Sequence, residues 1–188
     1  SVAIQVLSSY IYVGGYSGST GWTSGASDFL LIKIDEATGA KQWSKYYGGP
    51  NNDIFTDIYA SGSFIYGIGY GDIGIGGDDF LMMAVSTTDG SLATFKYLGG
   101  AANSETSSRI KIDSSGYLYL TGGSSSSGLT HGFADILLMK VNPTTYALEW
   151  GVYVGSSSKS DYSEDLVISG DGTSVYIIGY TDATSLTF

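Results

Sequence analysis

The sequence predicts an all-β protein built from repeated units of four antiparallel strands, and three observations lead there. A strand-like segment opening on aspartate is written three times: "DFLLIKID" from Asp28, "DFLMMAVS" from Asp79 and "DILLMKVN" from Asp135. A second segment, aromatic and then glycine, is written four times: "YVGGY" from Tyr12, "YGIGY" from Tyr66, "YLTGG" from Tyr119 and "YIIGY" from Tyr176. Gly- and Ser-rich connections separate them, and no stretch with a helical apolar period is long enough to form a helix.

The elements follow in chain order within each repeat. Strand A, typified by "RIKID", and strand B, typified by "YLYLTG", are joined by small turn-forming residues: "LSS" at Leu7, "ASGS" at Ala60, "DSSG" at Asp113 and "SGDGTS" at Ser169. Such residues supply the left-handed conformations that tight hairpin turns require. An acid stands five residues before the aliphatic end of the last three A strands: Asp53, Glu105 and Asp161. Strand C is the aspartate-led apolar run. Strand D, typified by "EWGVYVG", is fixed by a tyrosine 18 residues beyond each aspartate, at Tyr46, Tyr97 and Tyr153, with Trp43, Thr94 and Trp150 three residues earlier. The aspartates are 51 and 56 residues apart, and matching internal spacing at such a period marks a repeat architecture.

Composition agrees. The 188 residues allow one sizeable core and at most two small domains, and 43% hydrophobic residues with 16 tyrosines are too many for a disordered chain. The 28 glycines and two prolines suit short strands joined by turns. A formal charge of −10 with eight Lys plus Arg argues against nucleic acid or an anionic membrane as partner, since both require cations to neutralise phosphate. No cysteine is present, which removes disulfides and thiolate metal sites and leaves the compartment open. No apolar run approaches the roughly 20 residues of a spanning helix, so membrane insertion is not expected. The start at Ser1, with no charged-then-apolar segment, is that of a mature product or a piece of a longer chain.

A lone four-stranded sheet buries too little to be stable, so repeats must pack face to face, which explains why "FLLI" and "FLMM" do not alternate. Twisted four-stranded sheets at this period describe β-propeller blades, in the order A-B-C-D with A innermost; the alternative is a β-solenoid, whose repeats are usually shorter, with one strand per side. The repeats run over residues 1–49, 50–100, 101–155 and 156–188 of a single propeller or propeller fragment. That gives three complete blades and a half blade, because four A–B hairpins are matched by only three C–D pairs.

The stretch "DFLLIKIDEATGAKQWSKYYGG", followed by an A–B hairpin ending "YxxGY", resembles the SBBP-type β-propeller repeat of bacterial and archaeal cell-surface and secreted proteins. The resemblance covers nearly the whole chain. It implies the propeller fold and an extracellular or cell-surface location, and it implies no particular activity. A closed ring of the family's usual size needs more blades than this chain holds. The middle copy departs from its siblings, with Ala84 in place of Lys33 and Lys140 and Thr94 in place of Trp43 and Trp150, so those positions read as dispensable.

The site candidates are few. His131 is the only histidine and reads as a solvated loop residue. Asp78, Asp79 and Asp53 are the candidates for calcium, which takes six to eight oxygen ligands, although no calcium-loop pattern is present. The competing reading has the recurring aspartates fixing turns by bonding nearby amides. Acids at equivalent repeat positions are poor candidates for a catalytic pair, and no nucleophile elbow occurs, so no catalytic residue and no cofactor are expected. Tyr16, Trp22, Tyr70 and Tyr180 are candidates for stacking on sugar rings, against packing between blades.

The sequence therefore predicts a non-enzymatic structural or adhesive module. Its incomplete fourth blade presents Val175, Tyr176, Ile177, Ile178, Gly179 and Tyr180 as an edge strand, and such an edge recruits another strand. The expected partner is another part of the same chain or a neighbouring propeller segment, and head-to-tail pairing would propagate into a filament. The alternative is a carbohydrate- or calcium-binding module, with a hydrolase as a third reading.

Overall fold

The computed structural model describes residues 3–18, 27–71, 77–98, 104–125, 133–156 and 159–182. Among them the protein is all-β, with fourteen strands and no helix. The strands are β1 (Ala3–Leu7), β2 (Tyr10–Ser17), β3 (Asp28–Asp35), β4 (Lys41–Tyr47), β5 (Asp53–Ser61), β6 (Phe64–Gly71), β7 (Asp79–Ser86), β8 (Leu92–Leu98), β9 (Glu105–Ile112), β10 (Leu118–Ser124), β11 (Asp135–Val141), β12 (Leu148–Val154), β13 (Asp161–Ile168) and β14 (Val175–Thr181). Three four-stranded antiparallel sheets, β1–β4, β5–β8 and β9–β12, each run in sequence order, and β13–β14 form a two-stranded sheet. No strand pairing among the described residues closes the sheets into a ring. The chain divides into two compact units, one carrying β1–β8 and the other β9–β14.

The turns are built where their chemistry requires. The A–B hairpins turn through left-handed residues, Gly62, Gly116 and Gly172, and in the first sheet Ser8 adopts φ 56°. Away from glycine that conformation is uncommon. A bulge also recurs in the A strands of the A–B pairs, at Phe55/Asp57, Ser107/Arg109 and Ser163/Asp165. Opposite it stand Gly69, Gly122 and Gly179, where an added Cβ would run into the carbonyls of Ile54, Thr106 and Tyr162. The glycine of the aromatic–glycine segment is thus required by close backbone approach at a bulge.

In the first unit β5 packs against β1, β2 and β3. The Phe29 and Phe55 rings stack with centroids 4.0 Å apart, and Leu31, Tyr47, Leu81, Met83 and Val85 belong to the same cluster. Burying each such side chain contributes about 1.5–3 kcal/mol. β7 is buried from Asp79 to Val85, so its apolar run has no polar alternation to show. In the second unit β13 packs against β9, β10 and β11 in the same way. There Ser163 stands where the first unit has Phe55. Its hydroxyl donates to the Gly122 carbonyl at 3.2 Å, and the Ser108 hydroxyl donates to the Ser163 carbonyl at 2.8 Å. The same stacking position is thus filled by an aromatic pair in one unit and by hydroxyl hydrogen bonds in the other.

Candidate functional site

Strand pairing places three sets of side chains that composition alone does not. The first is a box of aromatic residues around lysine. On β3, Lys33 lies opposite Tyr12 of β2 and Trp43 of β4. On β11, Lys140 lies opposite Tyr119 and Trp150. In the second sheet the same register holds Ala84 between Tyr66 and Thr94. The paired departure of the middle copy is therefore one cross-strand unit exchanged as a whole. The Lys33 ammonium sits 3.8 Å from the centre of the Tyr10 ring, and that of Lys140 sits 4.2 Å from the Tyr117 ring. Such contacts are favourable cation–π arrangements. The indoles complete each box, with Trp43 6.2 Å from Tyr12 and Trp150 6.0 Å from Tyr119.

The second set is the acids at the sheet junctions. The Asp53 amide donates to the Ser27 carbonyl at 2.7 Å, and the Gly49 amide donates to Asp53 Oδ2 at 2.7 Å. An added Cβ on Gly48 would stand 2.6 Å from Asp28 Oδ1 and 2.7 Å from Asp53 Oδ2, so only glycine lets the two acids flank this backbone. The second unit repeats the arrangement: Asp161 donates to the Ala134 carbonyl at 2.8 Å, and Ser156 donates to Asp161 Oδ2 at 2.6 Å. Burial raises the Asp53 pKa; the Gly49 amide opposes that rise, and the neighbouring Asp28 adds to it. Asp79 is buried at the start of β7, and the carbonyl of Asp78 accepts from the Glu105 amide at 2.7 Å. No three His, Cys, Asp or Glu side chains among the described residues are placed to hold a metal ion. Asp53, a calcium candidate, accepts the Gly49 amide with one of its oxygens.

The third set is the edge formed by β14. Val175–Thr181 pairs with β13, and among the described residues with no other strand. Tyr176, Ile178 and Tyr180 are exposed, the most exposed being Ile178 at 63%. An apolar groove of about 460 Å³ runs beside it, bounded by Ile136, Leu138 and Val154 of the third sheet and by Val175 and Ile177. In the first unit the equivalent residues Phe29, Leu31 and Tyr47 pack in one cluster with Leu81 and Met83 of β7.

Of the sugar-stacking candidates, Tyr16 is exposed at the end of β2, Tyr70 is half-buried on β6, and Tyr180 is exposed and stacked on Tyr162 at 4.9 Å. They lie on different sheets. Trp22 and His131 lie outside the described residues. Sequence reasoning passed over Lys33 and Lys140 as site residues. The signal available was that Ala84 and Thr94 change together, at two positions that a hairpin brings face to face.

The fold and these sets define an all-β repeat protein whose recurrent unit is a four-stranded antiparallel sheet with an acid clasp at its junctions. No protein-family model matches the chain, and no curated protein matches it closely enough to count as a relative.

Proposed function

We propose that the protein is a non-enzymatic structural or adhesive module of β-propeller blades, of the SBBP-type repeat, that works outside the cell or at its surface and assembles through β14. The observation that carries the assembly reading is the groove beside that strand. Its walls, Ile136, Leu138 and Val154, are the counterparts of side chains that in the first unit pack with Leu81 and Met83 of a C strand. The fitting partner is therefore a C–D strand pair of the type this chain writes three times, supplied by the same polypeptide or by a neighbouring copy. Main-chain hydrogen bonds along β14 supply affinity, and the alternating apolar residues of the incoming strand supply register. The outer face of the first sheet supports stacking as well. Ile4 and Val6 are exposed there, opposite Val13 and Ile11, an apolar surface that another sheet would cover.

The test adds a synthetic hairpin spanning residues 28–47 to the intact protein and follows amide exchange. Protection of the β14 amides, lost in Ile177→Lys while circular dichroism stays unchanged, supports the reading. A protein that stays monomeric at about millimolar concentration, ignores the hairpin and exchanges its β14 amides freely overturns it.

A further inference from the structure

Lys33 is a nearly buried cation, 8% exposed, that donates a hydrogen bond to the Thr87 carbonyl at 2.7 Å. No carboxylate among the described residues pairs with it. Its counterpart Lys140 has Asp113 Oδ2 at 4.0 Å. By strand register the residue in the first sheet equivalent to Asp113 is Leu7, since Val6 faces Ile11 as Ile112 faces Leu118. A buried charge with no counter-ion is costly, and natural structures retain one where something else pairs with it.

Beside Lys33, within the first unit, is a cavity of about 500 Å³ bounded by Tyr10, Lys33, Gln42, Trp43, Thr87 and Thr88 among others. Small-molecule sites fall in this size range. No carboxylate among the described residues lines it, although acids outnumber bases in the chain by 18 to eight. Its walls offer aromatic faces, an amide and hydroxyls. The indole N–H of Trp43 is buried without an acceptor among the described residues. Ammonium groups carry three donors, and Lys33 commits one to Thr87.

We propose that this cavity binds a uronate-type sugar, with the carboxylate on the Lys33 ammonium, the ring against Trp43 and Tyr10, and the hydroxyls on Gln42, Thr87 and Thr88. The unpaired cation calls for an anion. The aromatic walls call for a ring with an apolar face, and the amide and hydroxyls for a polyhydroxylated rim. A nucleotide phosphate would satisfy the cation, but a surface of charge −10 repels polyanions and leaves short, singly charged ligands favoured. The site is independent of assembly through β14.

The experiment is an amide-shift titration of the whole protein with methyl glucuronide, methyl glucoside and acetate. The glucuronide should shift amides around Thr87 and Gln42 and bind about tenfold more tightly than the neutral glucoside or acetate. Lys33→Met should lose at least about tenfold of that affinity, and Lys140→Met should lose none. If Lys33→Met does not fold, the double substitution Lys33→Ala, Trp43→Thr replaces it, because the second sheet already accommodates Ala84 and Thr94 at this register. Absence of shifts at about 20 mM glucuronide overturns the proposal. So does equal response to the glucoside, equal response to acetate, or unchanged affinity in the Lys33 variant.

Discussion

The first and third sheets carry the same lysine, the same two tyrosines and the same tryptophan in the same register, and they differ in the A–B turn. Asp113 stands near Lys140 and also accepts the amides of Ser115 and Tyr117 at 2.9 Å each, so one side chain closes the turn and neutralises the cation. In the first sheet Leu7 occupies that register, the turn is shorter and passes through Ser8 at positive φ, and the lysine is left to face a cavity. The comparison separates two roles of one motif. With its aspartate the box is a structural clamp; without it the box keeps an uncommitted charge.

The largest expected effect comes from breaking the clamp. Asp113→Leu removes two turn hydrogen bonds and the partner of Lys140, and should lower unfolding free energy by about 2 kcal/mol in urea titrations. The reciprocal change should act on binding. Leu7→Asp supplies Lys33 with a counter-ion, should weaken glucuronide binding about tenfold, and should leave the urea midpoint close to the parent. An unchanged affinity would mean that the missing aspartate is not what distinguishes the two boxes.

Removing each lysine sharpens the contrast. Lys140→Met should cost about 1 kcal/mol. Lys33→Met should stay within about 0.5 kcal/mol of the parent, because losing the cation–π contact is offset by removing an unpaired buried charge. The Lys140 pKa is raised, first by hydrogen bonding with Tyr119 and with smaller help from the charges of Tyr119, Asp113 and Tyr117, while burial opposes the rise. Its stabilising contribution is therefore complete below the ordinary value of 10.5 and is lost as pH rises through the raised native value. Thermal melts on the alkaline side should flatten in Lys140→Met relative to the parent.

The smallest effect belongs to the junction acids. Because the Asp53 pKa is raised, its ionised form costs stability as pH climbs from 3.8 through the native value. Asp53→Asn keeps an acceptor for the Gly49 amide and removes that charge. The substituted protein should gain on the parent between acid and neutral pH, by a degree or two in thermal melts, on the order of a few tenths of a kcal/mol. Asp89 and Asp171 run the other way. Amide and hydroxyl bonds from Ser91 hold the first near a pKa of about 2, and bonds led by the Ser169 hydroxyl hold the second there, so what they contribute is lost as pH falls toward 2.

Much of the fold was written locally. The small residues at Ser8–Ser9 and Ser114–Gly116 and the glycines at 69, 122 and 179 each act through their own backbone or a hairpin neighbour. Their spacing is therefore enough to place strands and turns. The A–B and C–D pairings followed because those connections are short, and short connections join neighbouring antiparallel strands. The pairing of β13 with β14 was legible for the same reason, as the fourth A–B hairpin of the count.

Tertiary structure decided the rest, where the partners are far apart in sequence. Thr87 bonds Lys33 across 54 residues, and the cavity they share is lined by two different sheets, so no local pattern marks it. The bond from the Asp53 amide to the Ser27 carbonyl likewise depends on how one sheet meets the next. The sequence by itself determined which residues form strands, because side-chain period and turn chemistry are properties of a few adjacent residues. Only the packed structure decided which lysine is clamped and which is left free to bind, because charge pairing depends on distance through space and not along the chain.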